Sequence, residues 1–189
     1  LTSNRSDLRN SIQELVNSLQ ALDPTEKKHK EFTLDWIRSG AKLFRENKPA
    51  TPSPHLVSYF LPFDEKENKI LLVDHKKAKL WLPPGGHVEI NEHPKDTVIR
   101  EVQEELFTEA NFFSEEPLFL SVNQTSSEFN RHIDISLWYV LKGDSRVNYT
   151  FDESEFYKIE WFDLKNISYE ESEPHLKRFL TKFLSLQSA

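Results

Sequence analysis

The sequence predicts an α+β fold in which a mixed β-sheet packs between helices, preceded by a helical amino-terminal segment. Three observations predict it. Apolar residues of the first fifty positions recur at helical spacing, those after residue 55 form short runs divided by polar turns, and strands and helices then intersperse without strict alternation. The 189 residues are enough for one full domain with an extension, and for a real hydrophobic core. The expected division is a helical extension over 1–50 and a main domain over 51–189.

In "SDLRNSIQELVNSLQAL", Leu8, Ile12, Leu15, Val16 and Leu19 keep helical period, and Ser6 or Asp7 is the expected cap. "DPTEKKHKEFTLDWIRSGAKLF" offers Asp23 as cap and Pro24 at the first helical position. Its apolar set is Phe32, Leu34, Trp36, Ile37 and Leu43. "RENKPATPSP" then breaks the helix and serves as connector. "HLVSYFLPF" and "KILLVDHK" flank the polar turn "DEKEN" and read as a hairpin. "KLWLPPGG" follows, then a helix from Pro94 to Leu106. "PLFLSVNQ", "HIDISLWYVL" and "KIEWFDL" read as strands. The closing helix "EPHLKRFLTKFLSL" sets Leu176, Phe179, Leu180, Phe183 and Leu184 on one side. Strand alternation makes most of Phe60, Phe129, Trp138 and Tyr139 core, with a nucleoside pocket as the sharper reading.

Charge excludes several classes of partner. A net charge of -7 argues against broad nucleic-acid or anionic-membrane binding. Lys and Arg outnumber Asp and Glu by nine to seven over 1–50, but no dense basic face makes a DNA-binding helical pair. An anionic substrate would need a local cation. With no cysteine, disulfides and thiol chemistry are excluded, and a cytoplasmic setting is expected. No apolar run reaches about 18 residues, and the amino terminus lacks a signal-peptide core.

The stretch "PPGGHVEINEHPKDTVIREVQEELF" concentrates the chemistry. Glu101, Glu104 and Glu105 share a helical face at spacings of three and four, while Val98, Ile99, Val102 and Leu106 form another. Carboxylates ~6 Å apart repel by about 3 kcal/mol at an effective dielectric of 20, so a positive charge is expected among them. Arg100 lies beside this face and can pair with Glu92 or Glu101. A solvated acidic face is the ordinary reading of such a run. The glycine turn before it changes the balance: Gly85 and Gly86 let the backbone approach a ligand, and their carbonyls suit a hard cation. Oxygen donors at this density fit Mg²⁺ or Mn²⁺, and no His/Cys arrangement suits zinc. The implied chemistry is metal-assisted attack of water on a phosphoanhydride.

From Gly86 to Glu105 the chain resembles the signature of the Nudix hydrolase superfamily. Gly86, Glu92, Arg100, Glu101, Val102, Glu104 and Glu105 match at the signature's spacing. Phe107 stands where glycine is usual and Thr108 where an apolar residue is usual. A phenylalanine at positive φ is strained, so the helix is expected to continue or to end without a left-handed cap. The resemblance spans roughly 53–185 and implies a Nudix-type α/β/α sandwich. The helical segment before it is similar to a group of bacterial members. The resemblance also implies metal binding by Glu101, Glu104 and Glu105, one of them a possible base, with the Gly85 carbonyl completing the coordination. Arg100 and Glu92 would hold the loop and helix together. An additional acidic ligand or base is implied before the strand containing Trp161, for which Glu155 is the candidate and Glu153 the fallback.

His87 is expected to be a solvent-exposed loop residue, with phosphate contact as its second reading. Trp81 reads equally as packing or as a base-stacking residue. His132 and Asp134 are pocket lining or plain surface. The resulting expectation is a pyrophosphohydrolase that uses Mg²⁺ or Mn²⁺ and cleaves a nucleoside diphosphate linked to another group. Its partner is a small nucleotide derivative, not a membrane or a nucleic acid. One alternative is a Nudix-fold nucleotide-binding or regulatory module without turnover, against which the intact glutamate set argues. An isoprenoid-diphosphate isomerase of the same fold is the other, weakened by the absence of cysteine.

Overall fold

A computed structural model of the chain describes residues 2–47, 51–125 and 131–187. Helix α1 (Thr2–Ser18) packs on α2 (Pro24–Arg38) before the chain enters the sheet. Asp23 caps α2 by accepting from Glu26 N at 2.8 Å, with Pro24 starting the helix. The expected cap of α1 is different: the helix runs back to Thr2, so Ser6 and Asp7 lie inside it.

The sheet has seven strands, β1 (His55–Asp64), β2 (Lys69–His75), β3 (Leu80–Leu82), β4 (Gly85–His87), β5 (Phe119–Gln124), β6 (Ile133–Lys142) and β7 (Phe156–Asp163). Its main path is β3-β2-β1-β6-β5. The pairing is mixed because β1 and β6 run parallel, from His55 opposite Asp134 to Phe63 opposite Lys142. On its other edge β1 serves two partners. Its first half pairs with β4 through Val57 and His87, and its last residues pair with β2 through Phe63 and Ile70. β7 pairs with β2 over Lys69–Asp163 and beyond.

Period-two alternation sorts the strand side chains into two cores. Leu56, Phe60, Leu71, Val73, Ile135, Leu137 and Tyr139 face α1, α2 and α3 (Pro94–Leu106). Leu61, Phe63, Ile70, Leu72, Trp138 and Val140 face α4 (Leu176–Gln187). Strands covered on both sides read as continuous apolar runs in the sequence. Phe60, Trp138 and Tyr139 are core, as alternation predicts, whereas Phe129 lies outside the described residues. Phe32, Ile99 and Leu184 depart from expectation: each sits at the rim of its helix's apolar stripe and is exposed.

Helix α2 also covers the sheet's edge. Leu120 N and Val122 N of β5 donate outward to Glu26 Oε1 at 3.2 Å and His29 Nδ1 at 3.3 Å. An open strand edge is a template for unwanted pairing, and side chains of α2 occupy it here. Glu26 Oε1 also receives Lys182 Nζ of α4 at 2.7 Å, with both side chains buried. The amino-terminal helices therefore share one core and one buried ion pair with the rest of the molecule. Among the described residues no helix is long and apolar enough to cross a membrane.

Candidate active site

A cleft of about 630 Å³ opens where β1 divides its edge between β4 and β2. Six carboxylates line it, from Glu89, Glu101, Glu104, Glu105, Asp134 and Glu155, against the three basic side chains Arg45, Lys77 and Arg100. The sequence-predicted acids Glu101, Glu104, Glu105 and Glu155 thus meet in one cavity. Glu153 is exposed and does not line it.

Backbone contacts require glycine at position 85, whereas at position 86 an added side chain would meet only the end of the Glu101 side chain. Gly85 has φ +140, and a Cβ on it would lie 2.2 Å from Ser58 O. A Cβ on Gly86 would lie 2.0 Å from Glu101 Oε1. The turn is therefore pressed against β1 on one side and against the glutamate helix on the other. Gly85 N donates to Glu105 Oε2 at 2.8 Å, which anchors that carboxyl.

The three helix glutamates are not equivalent, as a common face would have made them. Glu104 is 58% exposed in its side chain, Glu101 is largely covered, and Glu105 is buried with Thr97, Val98, Val102 and Leu106. Burial, reinforced by the charge of Glu101, pushes the Glu105 pKa well above the usual carboxylate range. Burial also raises Glu101, though the Arg100 guanidinium opposes it.

Arg100 organises the surrounding loop. Its Nε and Nη2 donate to Glu92 Oε1 and Oε2 at 2.9 and 3.0 Å, a two-pronged pair. Nη2 also donates to His87 O at 3.1 Å, and Nη1 donates to Glu101 Oε1 at 2.7 Å and Glu104 Oε2 at 3.0 Å. Glu92 accepts in addition from Glu89 N and Thr97 Oγ1. Burial works against its charge, but these donors hold its carboxyl below the ordinary range. Arg100 and Glu92 thus tie the loop after β4 to α3. The six carboxylates of the cleft outnumber its three basic side chains, an excess of negative groups that a cation would offset.

The end of α3 differs from expectation. Phe107 does adopt the left-handed conformation, with φ 49 and ψ 38, despite the steric penalty. Phe107 is 55% exposed, and Asp152 N donates to the Glu105 carbonyl at 2.9 Å, so the chain leaves the helix here.

Four further residues can be set against their sequence readings. His87 is not a solvated loop residue: it ends β4, lines the cleft and is 28% exposed, and burial followed by the nearby Arg45 charge lowers its pKa to about 3. Trp81 packs edge-on against Phe162, under Lys158, outside the cleft. His132 and Asp134 join His55 and His87 in a compact group with ligand atoms within 4.8 Å of one another, where the sequence reading saw no His/Cys arrangement suited to zinc. Sequence reasoning missed His55 and Arg45 altogether. No local spacing signals them, since the parallel register of β1 and β6 brings His55 opposite Asp134.

A family model described as NUDIX domain matches residues 54–183. An uncharacterized Nudix hydrolase, YvcI of Bacillus subtilis, is 28% identical over 123 residues, covering 62% of this chain and 75% of that protein. A probable DHNTP pyrophosphohydrolase of Lactococcus lactis is 34% identical over 85 residues, 41% of this chain and 48% of its own length. The mRNA-decapping enzyme subunit 2 of Saccharomyces cerevisiae is 30% identical over 118 residues, covering 62% of this chain; the match spans only 12% of the yeast protein. Among solved structures, a NUDIX-family hydrolase from Clostridium perfringens superposes with TM-score 0.53 at 25% identity, over 70% of this chain and 97% of that one. The MutT protein from Methanosarcina mazei superposes with TM-score 0.54 at 19% identity over 71% and 95%, a likeness of fold. With its glutamate helix, its glycine turn and a family match over most of its length, the chain belongs to the NUDIX domain family.

Proposed function

We propose that this chain hydrolyses a phosphoanhydride bond in a nucleoside diphosphate linked to another moiety, using Mg²⁺ or Mn²⁺. The observation that carries the reading is the convergence of Glu101, Glu104, Glu105 and Glu155 on one cleft, with Arg100 as the cation paired to the helix carboxylates. The donors there are oxygens, and hard divalent ions of this class take few protein carboxylates together with substrate phosphates. Glu101, Glu104 and Glu105, with the Gly85 carbonyl, would hold the metal. When bound, such an ion neutralises phosphate charge and makes water more acidic.

The remaining roles fall to the chain's own groups. Glu155 accepts the proton of the attacking water. Gly86 leaves room for the Glu101 carboxylate, while Glu92 and Arg100 keep the loop and helix in register. Residues 51–189 carry the catalytic domain, and residues 1–50 are a helical extension that braces it. Relatives are named for both mRNA decapping and DHNTP pyrophosphohydrolysis, so the leaving group is a question for a substrate panel.

The test is a panel of nucleotide derivatives read by phosphate release through a coupled phosphatase. Chelation with EDTA should abolish turnover of the responding substrate, and Mg²⁺ or Mn²⁺ should restore it. Full activity in metal-free buffer overturns the reading.

A further inference from the structure

We propose that His55, His87, His132 and Asp134 form a second metal site, for a borderline transition ion of the Zn²⁺ class, separate from the glutamate cluster. Their ligand atoms all lie within 4.8 Å of one another. Three imidazole nitrogens converge on a single carboxylate oxygen: Asp134 Oδ1 is 3.0 Å from His55 Nε2, 3.3 Å from His132 Nε2 and 4.0 Å from His87 Nε2. A tetrahedral ion with ligand bonds of about 2.0–2.1 Å has ligand–ligand edges of about 3.3 Å. The three separations bracket that edge, and inward movement of the His87 ring completes the polyhedron.

Hydrogen-bond geometry points the same way. His55 Nδ1 lies 2.7 Å from Pro52 O, and a carbonyl only accepts, so Nδ1 carries the proton. In the neutral ring Nε2 then presents a lone pair towards Asp134 Oδ1, itself an acceptor. Both atoms are buried, and despite 3.0 Å of separation neither has a hydrogen-bond partner. Buried polar atoms are rarely left so, and two lone pairs facing one another suit a cation between them. The outer nitrogen of a metal-bound histidine characteristically donates to a backbone carbonyl, as His55 does to Pro52. His132 Nδ1 is likewise oriented, 3.1 Å from Thr125 Oγ1.

His87 is the adjustable member. Arg45 Nη1 lies 3.4 Å from its Nε2, so that lone pair reaches a metal once the Arg45 side chain swings away. Arg45 is only partly buried and lines the open cleft, which gives it room to do so. Imidazole-rich donors select Zn²⁺, Co²⁺ or Ni²⁺ over Mg²⁺, so the two sites differ in the ions they prefer. The ion would tie the starts of β1 and β6 to the end of β4, at the wall of the cleft that His87 and Asp134 line.

The experiment uses untagged full-length protein, stripped with EDTA and titrated with Co²⁺ in excess Mg²⁺. Visible d–d absorption and calorimetry report binding. The expected result is one equivalent of Co²⁺ with the intense bands of four-coordinate geometry, displaced by Zn²⁺. His132→Gln and Asp134→Asn, checked for folding by circular dichroism, should each weaken binding at least tenfold, while Glu101→Gln/Glu104→Gln should bind like the parent. Absence of Co²⁺ bands in the parent overturns the proposal. So does binding that survives both His132→Gln and Asp134→Asn, or that disappears in the glutamate double variant. These readouts involve no turnover, so the hydrolase reading stands or falls independently.

Discussion

Glu155 and Glu173 show what environment does to one side-chain type. Glu155 lies six residues before Trp161, lines the cleft and is near enough to Glu101 and Glu105 to raise their pKa values. If it accepts the proton of the attacking water, Glu155→Gln should lower kcat by roughly 10²–10⁴-fold, the range of general acid–base contributions, with much less change in KM. Unaltered kcat would remove it from the mechanism. Glu173 has no place in the cleft, yet burial pushes its pKa from 4.5 to about 7, against the His175 and Leu176 backbone donors. A carboxyl whose folded pKa is raised stabilises the protein below its ordinary pKa, and that stability fades as pH rises to the folded value. Between pH 4.5 and about 7 the loss should be on the order of 3 kcal/mol, and the contribution should stay lost above. Urea unfolding across that window should show this slope in the parent and a flatter one in Glu173→Gln. Equal slopes would contradict the assignment.

At the scale of elements, α3 was legible because its signals are local. Pro94 at its start, the apolar period of Val98, Val102 and Leu106, and the glutamate spacing are all visible within thirteen residues. Its end was not legible. The left-handed Phe107 costs roughly 1–2 kcal/mol locally, and tertiary contacts from the Asp152 segment overrule that cost. Phe107→Gly removes the penalty, gives up the covered part of a residue that is 55% exposed, and adds unfolded-state freedom worth about 0.5–1 kcal/mol. The expected net is a stabilisation of up to about 1 kcal/mol, read as a higher midpoint in urea with unchanged slope. A lower midpoint would show that the phenylalanine side chain supports the structure. The rim residues Phe32, Ile99 and Leu184 were misread for a related reason. A stripe drawn on an isolated helix does not say how wide the facing surface is.

Across the whole molecule, α2, β5 and α4 are joined through Glu26. Its carboxylate accepts from Leu22 N, Leu120 N and Lys182 Nζ, and it is 1% exposed. Glu26→Ala leaves Lys182 buried without its counter-ion and the β5 edge without its acceptor, a change that typically costs about 3–5 kcal/mol. Adding Lys182→Met to Glu26→Ala should recover part of that loss, because it removes the stranded charge. Denaturant unfolding of the single and double variants decides the point, and a single variant as stable as the parent would contradict the bracing role of the helices.

The sequence by itself determined the fold class, the order of the elements and the acidic helix with its glycine turn. Each of these rests on spacing between near neighbours, where helical and strand periods act directly on side-chain direction. Tertiary structure decided which glutamate is buried, that Glu155 joins the helix acids, that Phe107 turns left-handed, and that His55, His87, His132 and Asp134 meet. Residues 55 and 134 touch because β1 and β6 pair in parallel across a sequence separation of 79 positions, a register set by burial on both sheet faces. No local pattern encodes a contact of that kind; it exists only once the two cores have closed over the sheet.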